Sequence, residues 1–132
     1  MSLTIPIDQF GAVVACMVRP VGDKGQAFEA SGYLDTGASD TSIDPPFLDN
    51  FGYVPVDSSS FHAPGAEKRP AKVYDVEIAL VLPDGRCGDW KRLRILGVSV
   101  MKSGCNVALG RDFLASFRLL YDGPNGVAEL RW

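Results

Sequence analysis

Glycine and proline interrupt this chain at short intervals, 14 and 9 of them in 132 residues, and the segments between them are rich in Val, Ile, Leu, Phe and Tyr without a helical period. Short β-branched and aromatic runs bounded by turn residues are the pattern of an all-β domain. Ala12 to Val18 reads as a buried strand, Pro20 to Gly25 as a turn, and Ala27 to Leu34 as a returning strand that delivers Asp35 at its end. Asp44-Pro45-Pro46 reads as a break, with at most a helical turn after it around Phe47-Leu48. Ser58 to Pro70 is polar between apolar flanks and is the best candidate for a projecting loop. Tyr74, Val76, Ile78, Leu80 and Leu82 alternate with Asp75 and Glu77 to give one buried strand face, after which Pro83-Asp84-Gly85 turns the chain. From Lys91 to Val100, Leu93 and Ile95 alternate against Arg92 and Arg94, a solvated basic face. Gly110 to Phe117 is the one convincing helix, with Phe113, Leu114 and Phe117 on its buried face and Arg111, Asp112 and Ser116 outward. Leu119 to Tyr121, a turn over Asp122 to Gly126, and Val127 to Trp132 make a terminal hairpin. No repeat or linker divides residues 1–132, which are expected to form one domain.

Composition narrows the function classes. A hydrophobic fraction of 46%, a charged fraction of 22% and a net charge of -3 describe an ordinary soluble protein without the basic surface that nucleic acid requires. The longest apolar run, Ala12 to Val18, is far shorter than the ~20 residues of a membrane-spanning helix. The N-terminus shows no secretory pattern, and Met1-Ser2-Leu3 reads equally well as a cloning remnant. Cys16, Cys87 and Cys105 form no C-x-x-C pair and leave one thiol over in any disulfide scheme, which fits a reducing cytoplasm. His62 is the only histidine and has no cysteine near it in sequence, so neither a metal nor another cofactor is expected.

The chemistry centres on Asp35-Thr36-Gly37, preceded by Tyr33-Leu34 and followed by Ala38-Ser39, on a loop leaving the core. Asp followed by a small residue and Gly is ordinary turn chemistry when it stands alone. The triplet occurs once, so any mechanism that needs two such carboxylates must take the second from another copy of the chain. A catalytic reading therefore requires a homodimer with its site on the two-fold axis. About seventy residues later, Ala108-Leu109-Gly110-Arg111-Asp112 passes from two apolar residues through a glycine into the expected helix.

These two segments, in this order and spacing, resemble the retropepsin-like aspartic proteases, and the cellular and bacterial members more than the viral ones. The resemblance implies a single acid-protease lobe with one short helix on the C-terminal side and a flap hairpin, the flap falling on the polar segment between the motifs. It implies Asp35, Thr36 and Gly37 as the catalytic loop, with Ala38, Ser39, Asp40, Ala108 and Leu109 at the substrate or behind the loop. Gly65 or Ala66 would serve at the flap tip, because Pro64 has no N–H to donate, and His62 would either contact substrate or stand as a solvent-exposed loop histidine. By the same resemblance the Thr36 hydroxyl bonds the opposite protomer's loop; a local hydrogen bond to its own backbone is the alternative. The chain departs from the viral pattern at Ser39, where many viral members carry an acid that pairs with the helix-step Arg. Arg111 must then pair elsewhere, with Asp40 or Asp112 as candidates. Trp132 would lie either in a dimer sheet or in the protomer's own core.

The implied activity is hydrolysis of peptide or protein substrates by a cytoplasmic homodimeric endopeptidase. Two carboxylates in contact cannot both ionise cheaply, so they share a proton, an effect for which aspartic proteases are the standard illustration. The alternative is a related module that dimerises and binds peptide with weak cleavage or none. A third reading is a β-rich interaction domain in which Asp35 serves only its turn.

Overall fold

A computed structural model describes residues 1–62, 65 and 67–132. Its elements, in chain order, are β1 (Ser2–Asp8), β2 (Gly11–Pro20), β3 (Phe28–Leu34), β4 (Ser42–Ile43), α1 (Pro45–Asn50), β5 (Asp57–Phe61), β6 (Arg69–Leu80), β7 (Lys91–Gly97), β8 (Val107–Leu109), α2 (Arg111–Leu114), β9 (Arg118–Asp122) and β10 (Val127–Arg131). The long central strand β2 pairs antiparallel with β3 along one side and with β6 along the other. From β6 the pairing continues through β7, β4 and β8 back to β3, so six strands close on themselves. Closure removes edges from this part of the sheet. The core lies inside the ring, where Cys16, Val18, Ile43, Val76, Ile78, Ile95, Val107 and Leu109 are fully buried.

A second, three-stranded layer of the sheet is built from the ends of the chain. β10 lies between β1 and β9, with Leu3 opposite Leu130 and Ile5 opposite Ala128. Its strand pairing with the ring, among the described residues, is the tight hairpin that sets Ile7 opposite Ala12 and Asp8 opposite Gly11, and Ile5, Ala128 and Leu130 share the ring's core. Residues Met1 to Leu3 are thus no appendage: Ser2 and Leu3 are strand, and the Trp132 N–H donates to the Met1 carbonyl at 3.0 Å. Ile5 is the only fully buried side chain of β1, too thin a signal to read as a strand without its partner.

Other elements differ from the sequence reading for identifiable reasons. Asp44-Pro45-Pro46 opens α1 rather than breaking the chain, since proline in a first turn removes an N–H that has no helical partner. Leu48 anchors α1 in the core, and the rings of Phe28, Phe47, Phe51 and Tyr53 pack on one another at centroid distances of 4.7–6.3 Å. Where the polar segment Ser58 to Pro70 is described it holds strand, β5 pairing antiparallel with the start of β6, Ser58 opposite Lys72 and Phe61 opposite Arg69. It is polar because β5 is exposed along its length except at Phe61. β7 ends at Gly97, three residues early, and its Arg92 and Arg94 are exposed and paired with Asp75, Arg94 also with Asp57. α2 spans four residues only, and Phe113, fully buried, stacks on Phe117, which meets Trp132 edge-on at 5.6 Å. Trp132 therefore packs on its own chain. No helix among the described residues is long and apolar enough to cross a membrane.

Burial makes the fold sensitive to alkali. It pushes the Cys16 thiol from 9.0 up to about 12, and pushes the Tyr53 and Tyr74 phenols up as well, Tyr74 with help from the charge of Asp49. The folded state holds these protons more tightly than the unfolded chain does, so their contribution is complete below the unfolded values and is lost as pH rises through the folded ones. The urea midpoint is expected to hold steady near pH 8 and to fall progressively from about pH 9 toward pH 12. Urea titrations followed by tryptophan fluorescence check this.

Candidate active site

The geometry of the site follows from one parallel pairing. β3 and β8 run side by side with Tyr33 opposite Ala108 and Leu34 opposite Leu109, so the two strands leave the ring together. The Asp35 N–H extends that ladder by donating to the Leu109 carbonyl at 2.9 Å. Asp35 then turns, its carbonyl accepting the Ala38 N–H at 3.2 Å and its Oδ1 accepting the Gly37 N–H at 3.1 Å. Further along the loop, the carbonyls of Ala38 and Ser39 accept the N–H groups of Arg111 at 2.8 Å and Asp112 at 3.3 Å. Loop 35–40 thereby satisfies the N–H groups that the start of α2 leaves unpaired.

This contact explains Gly110. A Cβ there would lie 2.7 Å from the carbonyl carbon of Asp40, 2.8 Å from its oxygen and 3.0 Å from the Ala38 oxygen. Backbone, which cannot swing aside, fills the space. The glycine is required by proximity, since its φ of -83° is open to any residue.

Arg111 pairs with neither Asp40 nor Asp112. Its Nη1 donates to the Thr36 carbonyl at 2.9 Å, tying α2 to the middle of the triplet, while Asp40 Oδ2 accepts the Ser39 hydroxyl at 3.3 Å. Asp112, read from sequence as outward, turns inward to Thr41. Its Oδ2 accepts the Thr41 N–H at 3.0 Å and its Oδ1 accepts the Thr41 hydroxyl at 2.7 Å. Thr41 Oγ1 in turn accepts the Gly110 N–H at 3.1 Å. Thr41 is the only buried polar residue among those described, and this network is what permits its burial. Sequence reasoning missed both partners, because a loop threonine and a helix-start aspartate are each unremarkable until the fold joins them.

A second missed contact is closer to the chemistry. The Tyr33 hydroxyl donates to Asp35 Oδ2 at 3.0 Å. Residues two apart on an extended chain share a face, which was the available signal. Burial raises the Tyr33 phenol to about 12, and the hydrogen bond to Asp35 and its charge act in the same direction.

Among the residues picked out from sequence, 35–40 and 108–112 come together. Asp35 and Ala38 are half-buried, whereas Thr36, Gly37, Ser39 and Asp40 are exposed. Leu109 is fully buried and reaches the site through its carbonyl rather than its side chain. Ala108 is also buried, in a small cluster with Val100, Cys105, Val13 and Tyr33. His62 and Gly65 are exposed at the end of the β5–β6 hairpin. Ala66 and Pro64 lie outside the described residues.

Beside the triplet runs a groove of about 440 Å³, lined by Gly11, Ala12, Leu34, Thr36, Leu119, Tyr121 and Ala128. Its outer wall is β9, the last strand of its sheet, on which Leu119, Leu120 and Tyr121 are 38%, 49% and 66% exposed. Three adjacent apolar residues on an open strand edge invite pairing with another chain. The described residues contain no group of three or more His, Cys, Asp or Glu placed to hold a metal ion. What the arrangement offers is one carboxylate, fixed by donors on both oxygens, at the border of an open apolar edge.

No family model and no curated protein sequence matches the chain. Solved structures do. A retropepsin-like aspartic protease from Rickettsia conorii superposes with a TM-score of 0.63 at 16% identity, over 98% of this chain and 90% of that one. The simian foamy virus (mac) protease gives a TM-score of 0.51 at 14% identity, over 78% and 91%. The foamy viral protease-reverse transcriptase in complex with an RNA/DNA hybrid gives 0.52 at 16% identity, over 80% of this chain and 12% of that one. Taken with the closed strand ring, the short helix after Gly110 and the position of Asp35 at the end of β3, these likenesses identify the fold of the chain as the single-lobe retropepsin-like fold of aspartic proteases.

Proposed function

We propose that the chain, acting as one domain over residues 1–132, is a cytoplasmic homodimeric aspartic endopeptidase with one Asp35 from each protomer. The observation that carries this reading is the placement of a lone, half-buried Asp35 beside a groove whose outer wall is an unpaired apolar strand edge. A second copy set against β9 would cover Leu119 and Tyr121 and bring the two triplets together across the two-fold axis. Thr36, on the groove wall, then braces the opposite loop. The paired carboxylates hold one proton between them. The ionised one takes a proton from a water, whose oxygen attacks the peptide carbonyl carbon. The protonated one donates to the carbonyl oxygen. As the tetrahedral intermediate collapses, the C–N bond breaks and the amine leaves with a proton returned by the dyad. The β5–β6 hairpin serves as the flap, with His62 and Gly65 facing substrate, while Ala38, Ser39 and Asp40 contact the substrate backbone.

The test combines a mixed peptide library with sedimentation. The wild-type chain is expected to sediment as a dimer and to cleave, with activity per chain falling on dilution. Leu119→Arg, which places a charge in the groove, should give a folded monomer by circular dichroism with cleavage lost. A stable wild-type monomer defeats the reading, and a confirmed dimer that cleaves nothing favours the peptide-binding module.

A further inference from the structure

Tyr33 stands where the fold gives it no need to be a tyrosine. Its ring packs in the small cluster of Val13, Val100, Cys105 and Ala108, opposite Ala108 in the β3–β8 register, and Ala108 is small enough to leave the ring its space. Phenylalanine would satisfy that packing equally. The hydroxyl, however, ends on Asp35 Oδ2, while Oδ1 is held by the Gly37 N–H. Each oxygen of the carboxylate thus has one donor from its own protomer and a second lone pair free.

We propose that Tyr33 is a positioning residue for Asp35, its hydroxyl fixing the orientation of Oδ2 for the reaction. This rests on the endopeptidase reading above. A donor to a carboxylate favours the ionised form, which is the form that accepts the proton of the attacking water. The phenol keeps its proton throughout the range in which carboxylates titrate, so it acts as a constant donor. The surrounding charges do not change with it. The Lys102 ammonium lies 5.1 Å from the Tyr33 ring centroid, and Arg111 holds the Thr36 carbonyl. Asp112 is committed to Thr41, Asp40 accepts from Ser39, and burial keeps the Cys105 thiol protonated. All of these persist in Tyr33→Phe, which removes the one oxygen.

Two measurements decide the matter. In Tyr33→Phe kcat should fall about tenfold with KM changed less than about twofold and unfolding temperature nearly unchanged, because the carboxylate is held less well for the reaction while the substrate is still bound. An unchanged or raised kcat, or a loss matched by a fall in unfolding temperature, overturns the proposal. The second measurement needs no catalysis. In protein labelled with ¹³C at the tyrosine ring, the Tyr33 signal, assigned by its loss in Tyr33→Phe, should titrate near 12 in the wild type and at lower pH in Asp35→Asn, with burial, the larger cause, still holding it above the ordinary tyrosine value. A Tyr33 midpoint indifferent to Asp35→Asn removes the contact on which the proposal stands. Because this signal is independent of cleavage, loss of the endopeptidase reading and loss of the Tyr33 contact are told apart.

Discussion

Replacing Asp35 by Asn is expected to lower kcat by at least about a thousandfold, because the dyad loses both its base and its shared proton. Fold and dimer should survive, since Asn keeps an oxygen for the Gly37 N–H now held by Oδ1 at 3.1 Å. The more telling result comes from mixing. If each active site needs one carboxylate from each chain, equal amounts of wild type and Asp35→Asn that have exchanged subunits should retain about a quarter of the activity, as only doubly intact dimers work. Retention of half would mean that each chain acts alone. Peptide cleavage measured across a series of mixing ratios at fixed total chain gives a parabola in the first case and a straight line in the second.

The second large effect is structural. Asp112→Ala removes the acceptor of the Thr41 N–H, of the Thr41 hydroxyl and of the Phe113 N–H at 2.8 Å. Thr41 is fully buried and has nowhere to turn. Losing a charged acceptor and leaving buried donors unpaired costs about 3 kcal/mol, corresponding to a fall in Tm of roughly 10 °C for a chain of this size. The comparison is made by calorimetry at fixed chain concentration, because self-association raises apparent stability. Asp112→Asn, which keeps one acceptor oxygen, should recover part of the loss. Peptide cleavage should fall further than stability does, since Thr41 holds the Gly110 N–H beneath the Asp35 loop.

These two residues mark how far the chain could be read before it was folded. Asp35 announced itself because the strand before it carries enough apolar residues to be seen, and Phe28 to Leu34 is indeed β3. The helix after Gly110 was visible from Phe113, which is fully buried in the core. β4 and β8 were not visible, since strands of two and three residues have no period. They pair with each other and are clasped as a pair between the longer β7 and β3, a property of the ring and not of the segments. Asp112 was misjudged for a related reason: an acid at a helix start is usually solvated, and only the arrival of Thr41 makes inward orientation favourable. Tyr33 carried no signal of its own in the sequence, because its hydroxyl acquires meaning only once Asp35 turns back toward it.

The parallel pairing of β3 with β8 has a consequence in time. Thr36 and Arg111 are 75 residues apart in the chain, and the intervening segment contributes β4, β6, β7 and β8, four of the ring's six strands. Contacts of such separation form only after a long loop has closed, and they are correspondingly slow. A chain still being synthesised would present the Asp35 loop long before Gly110 and Arg111 exist to brace it. The site is thus among the last features to be completed, and a growing or partly folded chain carries the carboxylate without the scaffold that would make it reactive.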